Sequence, residues 1–377
     1  MKRNHTQVQL VSSAKNQDKM KNTLLNLRFL GMILFLSSSI FAQQESQFAN
    51  YIHNPYIFNP GAGGMMDLIQ VDLGYRNQFT GTDGNPSTVY LTGHTQIGSK
   101  NEGIGEFNLN KDNLFQTPDR TIGKLKHVIG GKFSKDGIGP FQKTSLYGSY
   151  AVHMPLIKTL NIGVGLSAGW SNFQIDQNKV ILHDDNDNIY NQFSSNLSKQ
   201  NNLDIQTGLV LYNDRFFFGL SGTQLLNNTV NIEQIETANT LNRHLFMLSS
   251  YNLGISEKLD LEPFVLIKAA QKTPTSFDLG IRIKYNKAIW GGIQYRKGNT
   301  FAVSAGMNVL KNFNVSYAFE YGTKSIRIGN AGSHELQLGF LIGNNRNVDK
   351  EIKESKKRNK QEEKQKEKEK DPELDVE

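Results

Sequence analysis

The sequence predicts an all-β protein, a transmembrane antiparallel β-barrel of about 14 strands with a charged C-terminal tail. Three observations lead to this fold. Runs of about ten residues alternate between apolar and polar side chains, which is the period of a half-buried strand. Long and short connections alternate between these runs, as in outer-membrane barrels. Residues 20–42 have the features of an export signal.

Composition excludes several classes of protein. The chain has 377 residues, 37% of them hydrophobic, a mean hydropathy of −0.47 and no cysteine, so it has no disulfide and no thiolate chemistry. No run after residue 42 approaches the roughly 20 apolar residues of a spanning helix. The formal charge of +7 comprises +5 in residues 1–42, zero in 350–377 and only +2 in the body. A nearly neutral body argues against a nucleic-acid partner.

The N-terminal region, residues 1–42, is expected to direct export. Lys21 and Arg28 precede the apolar run FLGMILFL, and small residues follow up to Ala42. A secretory signal consists of a charged segment, a short apolar segment and a small residue at the cleavage site. Met20 is a suitable start for such a signal. The mature chain is then expected to begin near Gln43, outside the cytoplasm.

Residues 43–66 have no clear period and are predicted to form a periplasmic arm that plugs or braces the barrel. Asn54-Pro55 and Asn59-Pro60 keep the residue before each proline extended and remove a hydrogen-bond donor. The glycines of GAGG (61–64) then loosen the chain.

The barrel is predicted over residues 67–343. In 67–79, Ile69, Val71, Leu73 and Tyr75 fall on one face and polar residues on the other. Tyrosines near strand ends are expected at the membrane interfaces: Tyr75, Tyr212, Tyr285, Tyr295 and Tyr321. The period recurs in runs near 87–97, 127–135, 143–155, 160–175, 203–213, 215–225, 242–255, 260–271, 276–286, 288–297, 300–310, 312–321 and 334–342.

The connections distinguish a barrel from a soluble β-sandwich, which also alternates. Connections after even-numbered strands are mostly tight, whereas 176–202, 226–241 and 322–333 are long. Short periplasmic turns and long external loops are typical of outer-membrane barrels. The stretch 98–126 breaks the rule and is interpreted as a periplasmic insertion or a misread strand. An even number of strands then places both termini in the periplasm.

Residues 344–377 are predicted to be a charged periplasmic tail. From 350 onward the tail carries ten basic and ten acidic groups and almost no apolar residue, so it cannot form a core. A solvated tail is the simpler interpretation, and a tether for a periplasmic partner is the alternative. The basic residues of its first half are candidate contacts: Lys350, Lys356, Lys357 and Arg358.

The sequence contains no convincing catalytic or cofactor site. GLSAG (165–169) matches a nucleophile elbow, but it lies within a predicted strand rather than at a strand-to-helix turn. HDDNDN (183–188) offers oxygen ligands but departs from the calcium-loop pattern, so a hydrated external loop is favoured over a calcium site. His94 and His153 lie among polar strand positions, where lining or hydrogen bonding is the simpler role. We therefore expect no enzyme, no metal and no cofactor.

Two segments in fixed order carry a family resemblance. QFANYIHNPYIFNPGAGG (47–64) and LGYRNQFTGTDGNPSTVYLTGHT (73–95) resemble the PorP/SprF family of type IX secretion membrane proteins, with Gly61 where the family commonly has alanine. HELQLGFLIG (334–343) is similar to the family's last strand, and the charged tail has no counterpart. The signature residues are Asn54, Pro55, Asn59, Pro60, Tyr75, Arg76, Asn77, Gln78, Phe79, Gly81, Gly84 and Pro86.

The resemblance implies a non-enzymatic outer-membrane component of type IX secretion and gliding motility in Bacteroidota. Such proteins help export or anchor large adhesin-like cargo with a C-terminal sorting domain and engage periplasmic motor or ring components. The alternative function is a diffusion channel or small-solute transporter, suggested by four basic residues on predicted lumen faces: Arg76, Arg282, Lys284 and Arg296.

Overall fold

The computed structural model describes most of the region predicted as arm and barrel. The described residues are 47–66, 68–97, 125–157, 159–180, 199–226, 229–230, 239–240, 242–271, 273–310, 312–323 and 331–342. The contacts described below lie within one compact unit, formed by residues from 43–271 and 276–377.

Strands dominate the described residues. They are β1 (Ile69–Asn77), β2 (Ser87–Gln96), β3 (Lys126–Ile138), β4 (Phe141–Ile157), β5 (Leu160–Ile175), β6 (Lys199–Tyr212), β7 (Phe216–Thr223), β8 (Thr229–Val230), β9 (Asn239–Thr240), β10 (His244–Tyr251), β11 (Leu253–Ser256), β12 (Leu259–Ala270), β13 (Thr273–Tyr285), β14 (Ile289–Arg296), β15 (Thr300–Leu310), β16 (Phe313–Gly322) and β17 (Ser333–Ile342). Within the described part of the chain, the helical elements are three short 3₁₀ turns, Pro55–Ile57, Pro60–Ala62 and Gln177–Lys179. No helix among the described residues is long and apolar enough to cross a membrane.

The strands close into an antiparallel barrel. From β1 to β7 and from β12 to β17 each strand pairs with the next, β10 pairs with β7 and with β12, and β1 pairs with β17. β10 and β11 both pair with β12 and are two parts of one strand, while β8 and β9 form a separate small hairpin. Counted over the described residues, the barrel therefore has 14 strands, and the predicted fold class and strand number are confirmed.

The two faces of the wall are divided as the alternation predicts. In β1, Asp72 and Arg76 are buried on the inner face, whereas Leu73 and Tyr75 are exposed on the outer face. Outer positions of other strands are also large and apolar, as at Leu166. This band suits lipid, because alternate residues of a spanning strand face the membrane.

One expectation about the aromatic residues is wrong. Tyr212 faces the lumen rather than a membrane interface and is only 2% exposed. Its strand places Val210 and Tyr212 on the inner face, where the Tyr212 hydroxyl lies 3.0 Å from His153 Nδ1. Tyr75 and Tyr285 are about half exposed on the outer face, as expected.

The two ends of the barrel differ in their connections. At the turn end, residues 213–215, 257–258 and 286–288 join successive strands, β1 begins and β17 ends. At the loop end lie 78–86, the longer connection 176–198 and the end of β16. The turn-end connections between described strands are short, as predicted, but the loop end also has the short connections 139–140 and 297–299, so long and short connections do not strictly alternate. Most of the exceptional stretch 98–126 lies outside the described residues, and its flanking residues lie at the turn end.

Leu166→Arg tests which face meets lipid. The outer side chain of Leu166 is 56% exposed within the apolar band, so arginine there is expected to destabilise the barrel by about 2–4 kcal/mol. Unfolding followed by the change in gel mobility of the heated barrel measures the effect. The matched control is Asn172→Arg, on the same outer face of β5 but nearer the loop end. Equal losses for both variants would contradict a lipid-facing band.

Candidate functional site

The lumen is occupied by the segment before β1. We call residues 47–66 the plug. Its apolar side chains pack with inward-facing side chains of the wall in two buried clusters. The larger cluster is formed by Phe48, Tyr51, Ile57, Phe58, Tyr90, Phe246, Leu248, Phe264 and Leu266. The segment predicted to be a periplasmic arm therefore lies inside the barrel over its described part.

A buried carboxylate holds the beginning of the plug. Glu335 accepts hydrogen bonds from the backbone nitrogens of Ala49 and Asn50, at 2.6 and 3.0 Å. The same side chain pairs with Arg76 Nη1 at 3.0 Å. Glu335 is 1% exposed. A buried charge is tolerated only when it is paired and hydrogen-bonded, and both conditions are met here.

Further ion pairs extend this contact around the loop-end half of the lumen. Arg76 also pairs with Glu320, and Arg296 pairs with Glu320 at 3.0 Å and with Asp278 at 3.0 Å. Lys268 reaches Asp278 at 3.1 Å. Arg296 turns its remaining donors to the plug, giving hydrogen bonds to Gln47 Oε1 (3.0 Å) and the carbonyl of Phe48 (2.9 Å). These three cations and three carboxylates form a neutral network, which we call the ion belt.

The basic residues that suggested a channel are indeed on lumen faces, but each has an acidic partner. Arg76 and Arg296 belong to the ion belt. Arg282 and Lys284 share Glu262, at 2.5 and 2.9 Å. Their charges are therefore compensated within the wall, which removes the reason for expecting an anion-conducting lining.

Aromatic and polar contacts hold the middle of the plug. His53 stacks on Trp290 with 4.9 Å between ring centroids, and its Nε2 lies 3.0 Å from Asn314 Oδ1. Tyr51 packs edge to face with Phe264, with 6.0 Å between ring centroids.

The two Asn-Pro pairs shape the plug. Pro55 and Pro60 each begin a 3₁₀ turn, where a missing N–H costs nothing. Asn59 caps the second turn by accepting from Gly61 N at 2.9 Å. Its amide also donates to two wall carbonyls, those of Leu209 and Leu220. Asn54 donates to Thr92 Oγ1 at 2.8 Å, so the asparagines of both Asn-Pro pairs join plug to wall.

Glycines of the wall make room for this turn. A Cβ on Gly165 would lie 2.5 Å from Gly61 N, and a Cβ on Gly208 would overlap the amide oxygen of Asn59. On the plug, a Cβ on Gly61 would meet the carbonyl oxygen of Gly208 at 2.8 Å. Backbone therefore packs directly on backbone here. We call Gly165 and Gly208 the glycine cradle; GLSAG begins with the first of them.

The predicted hydrogen-bonding role of two histidines is confirmed. His153 Nε2 lies 2.7 Å from the carbonyl of Gly63, and His94 Nδ1 accepts from Gly64 N at 3.1 Å. Both histidines face the lumen and are buried. Lys132 donates to the carbonyl of Ile57 at 3.1 Å. Wall side chains thus satisfy the plug's backbone, which a buried segment without a sheet partner needs.

The second half of the signature forms an ordered loop at the loop end. Gln78 N donates to the carbonyl of Pro86 at 2.8 Å, and Asn85 donates to Asn77 Oδ1 and to the carbonyl of Gln78. Phe79 has a φ of 52°, which is uncommon for an aromatic residue, and Gly81 and Gly84 have φ values of 92° and 66°.

Other predicted sites do not meet the plug. Tyr75 is exposed on the outer wall, and Ser167 of GLSAG donates to the carbonyl of Gly148. The possible calcium loop at 183–188 lies outside the described residues, as do Lys350, Lys356, Lys357 and Arg358 of the tail. Among the described residues, no three His, Asp or Glu side chains are grouped to hold a metal ion.

Below the plug, a cavity of about 130 Å³ faces the turn end. His53, Met65, Phe217 and Trp290 contribute its aromatic and apolar lining, and the ion-paired residues Glu262, Arg282 and Lys284 also line it. Sequence reasoning missed this space, the acidic members of the ion belt and the glycine cradle. The acidic members of the ion belt could have been noticed as acidic residues at inner positions of strands. Which basic residue each of them pairs with depends on strand order, which the sequence does not give directly.

Comparison with known proteins identifies a family that matches the chain. The family described as type IX secretion system membrane protein PorP/SprF matches residues 40–340. The chain belongs to this family. Its members are secretion-associated membrane proteins, and the plugged barrel is the form of this one. No match was found among curated proteins.

Several solved structures of barrels resemble the PorP/SprF chain. The Pseudomonas putida toluene transporter TodX is 8% identical, with a TM-score of 0.44, 77% of this chain covered and 94% of that one. The CymD monoaromatic hydrocarbon channel is 11% identical, with a TM-score of 0.44 and 76% and 94% covered. Omp33 of Acinetobacter baumannii is 9% identical, with a TM-score of 0.40 and 73% and 99% covered.

Gly208→Ala is expected to loosen the plug. The new methyl group would overlap Asn59 Oδ1, so the second Asn-Pro turn must move away from the wall. Faster proteolysis of residues 47–66 in the folded, purified barrel measures the displacement. Gly148→Ala is the matched control, because a Cβ there has no atom within 4 Å. Equal cleavage rates in the two variants would contradict a cradle that depends on glycine.

Proposed function

We propose that this chain is a plugged, non-enzymatic outer-membrane subunit of type IX secretion that assists export or surface anchoring of specific large proteins. Its cargo would be adhesin-like and carry a C-terminal sorting domain, and its cellular role would include gliding motility in Bacteroidota. Family membership over residues 40–340 supports the secretion role. The filled lumen is the observation that favours an adaptor over a pore.

The proposal places both barrel termini at the periplasmic face. The turn end carries the start of β1, the end of β17 and the short connections, which are typical of periplasmic turns. Residues 344–377 would then extend into the periplasm. There Lys350, Lys356, Lys357 and Arg358 are candidate contacts for motor or ring components. The loop end, with the signature loop 78–86, would face the cell surface and the cargo.

The competing hypothesis is a diffusion channel. It requires a continuous aqueous path, whereas the plug crosses the lumen and forms backbone and side-chain hydrogen bonds to the wall. Arg76 and Arg296 are both paired with carboxylates, so neither offers an uncompensated positive charge to attract anions. The cavity at the turn end is closed on one side by plug residues such as His53 and Met65. These features support a plugged adaptor.

Planar bilayer recording separates the two hypotheses. The full chain is expected to be electrically silent, because the plug and its hydrogen bonds block the lumen. Deletion of 47–64 should give steady conductance, since the wall alone encloses an aqueous path. A deletion of equal length in the tail, 360–377, is the control and should stay silent. Steady conductance from the full chain would favour the channel. Gly208→Ala, which is expected to loosen the plug, tests the same block of the lumen without removal of any residue.

Deletion of the gene tests the secretion role. One or a few large surface proteins should be lost or released into the medium, while the other substrates of type IX secretion remain exported. Quantitative proteomics of the cell surface and the medium measures this outcome, and spreading on agar measures motility. Re-expression of the chain is the control. An unchanged surface proteome together with unchanged motility would rule the proposal out.

A further inference from the structure

The cavity at the turn end is a pocket that opens at the end of the barrel. Part of its lining comes from residues where strands end there: Asp214 lies in the turn after β6, Lys287 lies in the turn after β13, and Asp260 is the second residue of β12. On its other side the cavity is closed by plug residues such as His53 and Met65. A space closed by the plug can bind a ligand but cannot pass it through the barrel.

The apolar part of the pocket has the size of one aromatic ring. Phe217, Leu248 and Trp290 line it together with Met65 of the plug. Its volume is about 130 Å³. An engineered apolar cavity of about 150 Å³ binds benzene, so a single six-membered ring suits this space. Aromatic walls also favour such a ring, because aromatic pairs gain stability beyond the area that they bury.

The polar part of the pocket has acceptors that lack donors. Asn54 Oδ1 and Asn252 Oδ1 are buried atoms of lining residues, and neither has a hydrogen-bond partner within the described part of the chain. Asn54 as a whole is 1% exposed. The described contacts of Glu262 with Arg282 and Lys284 all use Oε2, so Oε1 remains as a further acceptor. Unsatisfied buried acceptors favour a ligand that brings an O–H or N–H donor.

We propose that this cavity binds the phenol ring of a tyrosine side chain, presented by a polypeptide that reaches the barrel from its turn end. The ring packs between Trp290 and Phe217, and the hydroxyl donates to one of the unpaired acceptors. Phenol is uncharged at neutral pH, so it adds no charge beside the ion pairs of Glu262. Only the identification of the turn end with the periplasm rests on the proposed function.

A polypeptide suits the site better than a free phenol does. Burial of one ring must offset the loss of translational and rotational freedom, which limits a free phenol to binding in about the millimolar range. A polypeptide gains further contacts where the pocket opens. The lining there carries charged side chains of both signs, among them Asp214, Arg215, Asp260 and Lys287. Backbone and neighbouring side chains of the partner can meet these groups while the tyrosine fills the pocket.

Trp290 reports directly on occupancy of the pocket. The chain has two tryptophans, and the other one, Trp170, is 40% exposed on the outer wall. The variant Trp170→Phe therefore leaves Trp290 as the single tryptophan. The purified full chain carrying this substitution is titrated with N-acetyl-tyrosinamide and with N-acetyl-phenylalaninamide, which lacks only the hydroxyl. Fluorescence of Trp290 gives the dissociation constant of each.

Both compounds are expected to give a saturable change, with the tyrosine derivative about three- to tenfold tighter because its hydroxyl meets an unpaired acceptor. Equal dissociation constants would overturn the role of the donor. Absence of a saturable change with either compound would overturn the site itself.

Two serines of one strand test the location. Ser250 lines the cavity from the inner face of β10, opposite Phe217 and Phe264. Ser250→Phe is expected to fill the pocket and abolish binding of N-acetyl-tyrosinamide, and Ser250→Leu, a smaller filling, should weaken it. The matched control is Ser249→Phe, on the outer face of the same strand, which should bind normally. Heat-modifiable gel mobility confirms that each barrel is folded. Unchanged binding in a folded Ser250 variant would overturn this location.

A longer probe tests whether the occupant is a polypeptide. A capped peptide with one tyrosine flanked by two glycines on each side is expected to bind about tenfold more tightly than p-cresol, because its backbone reaches the groups at the opening. Equal affinities would overturn the polypeptide in favour of a free phenol. These measurements use the purified barrel, so they do not depend on the surface proteome or motility that test the proposed function. The two ideas therefore fail separately.

Discussion

The rest of the structure depends on the carboxylate of Glu335. This group joins three things that would otherwise be costly to bury: the backbone nitrogens of Ala49 and Asn50, the guanidinium of Arg76 and its own charge. Desolvation of such groups costs several kcal/mol per ion unless every partner is present. The inner wall of β1 and β17 and the first residues of the plug are therefore stable only in each other's presence.

The ion belt also explains how polar side chains are accommodated in the loop-end half of the lumen. The charges of its cations and carboxylates balance within the barrel, and Arg296 donates two hydrogen bonds to the plug. An outer-membrane wall needs polar inner residues, since its apolar residues face lipid. In an open barrel water would satisfy those inner groups. Here a segment of the same chain binds several of them in the loop-end half of the lumen, next to the apolar cluster around Phe58.

The sequence was sufficient for the barrel because the alternating period acts locally. Fourteen strands and their inner and outer faces could be predicted from neighbouring residues. Tyr212 was misplaced because an aromatic residue at a strand end is compatible with either face. The partners of Arg76 could not be predicted, because Glu320 and Glu335 are more than 240 residues away along the chain.

The plug was harder to predict for a different reason. Its prolines and glycines exclude regular structure but do not say what the segment packs against. The cradle at Gly165 and Gly208 reads in sequence as two ordinary strand glycines. The role of these glycines becomes clear only from the contact between the carbonyl of Gly208 and Gly61. Such contacts depend on the close approach of two backbones, and residue composition does not indicate where this occurs.

The position of the plug has a consequence for assembly. The segment is made first, yet the carboxylate that holds it lies 286 residues further along the chain. Contacts across such separations form late, because the entropy of closing the intervening chain must be overcome first. The first strands can bind the later part of the plug, but its first residues are not yet held. Insertion of the final strand, which brings Glu335, completes the ring and binds those first residues. The plug thus acts as an internal template around which the barrel strands assemble.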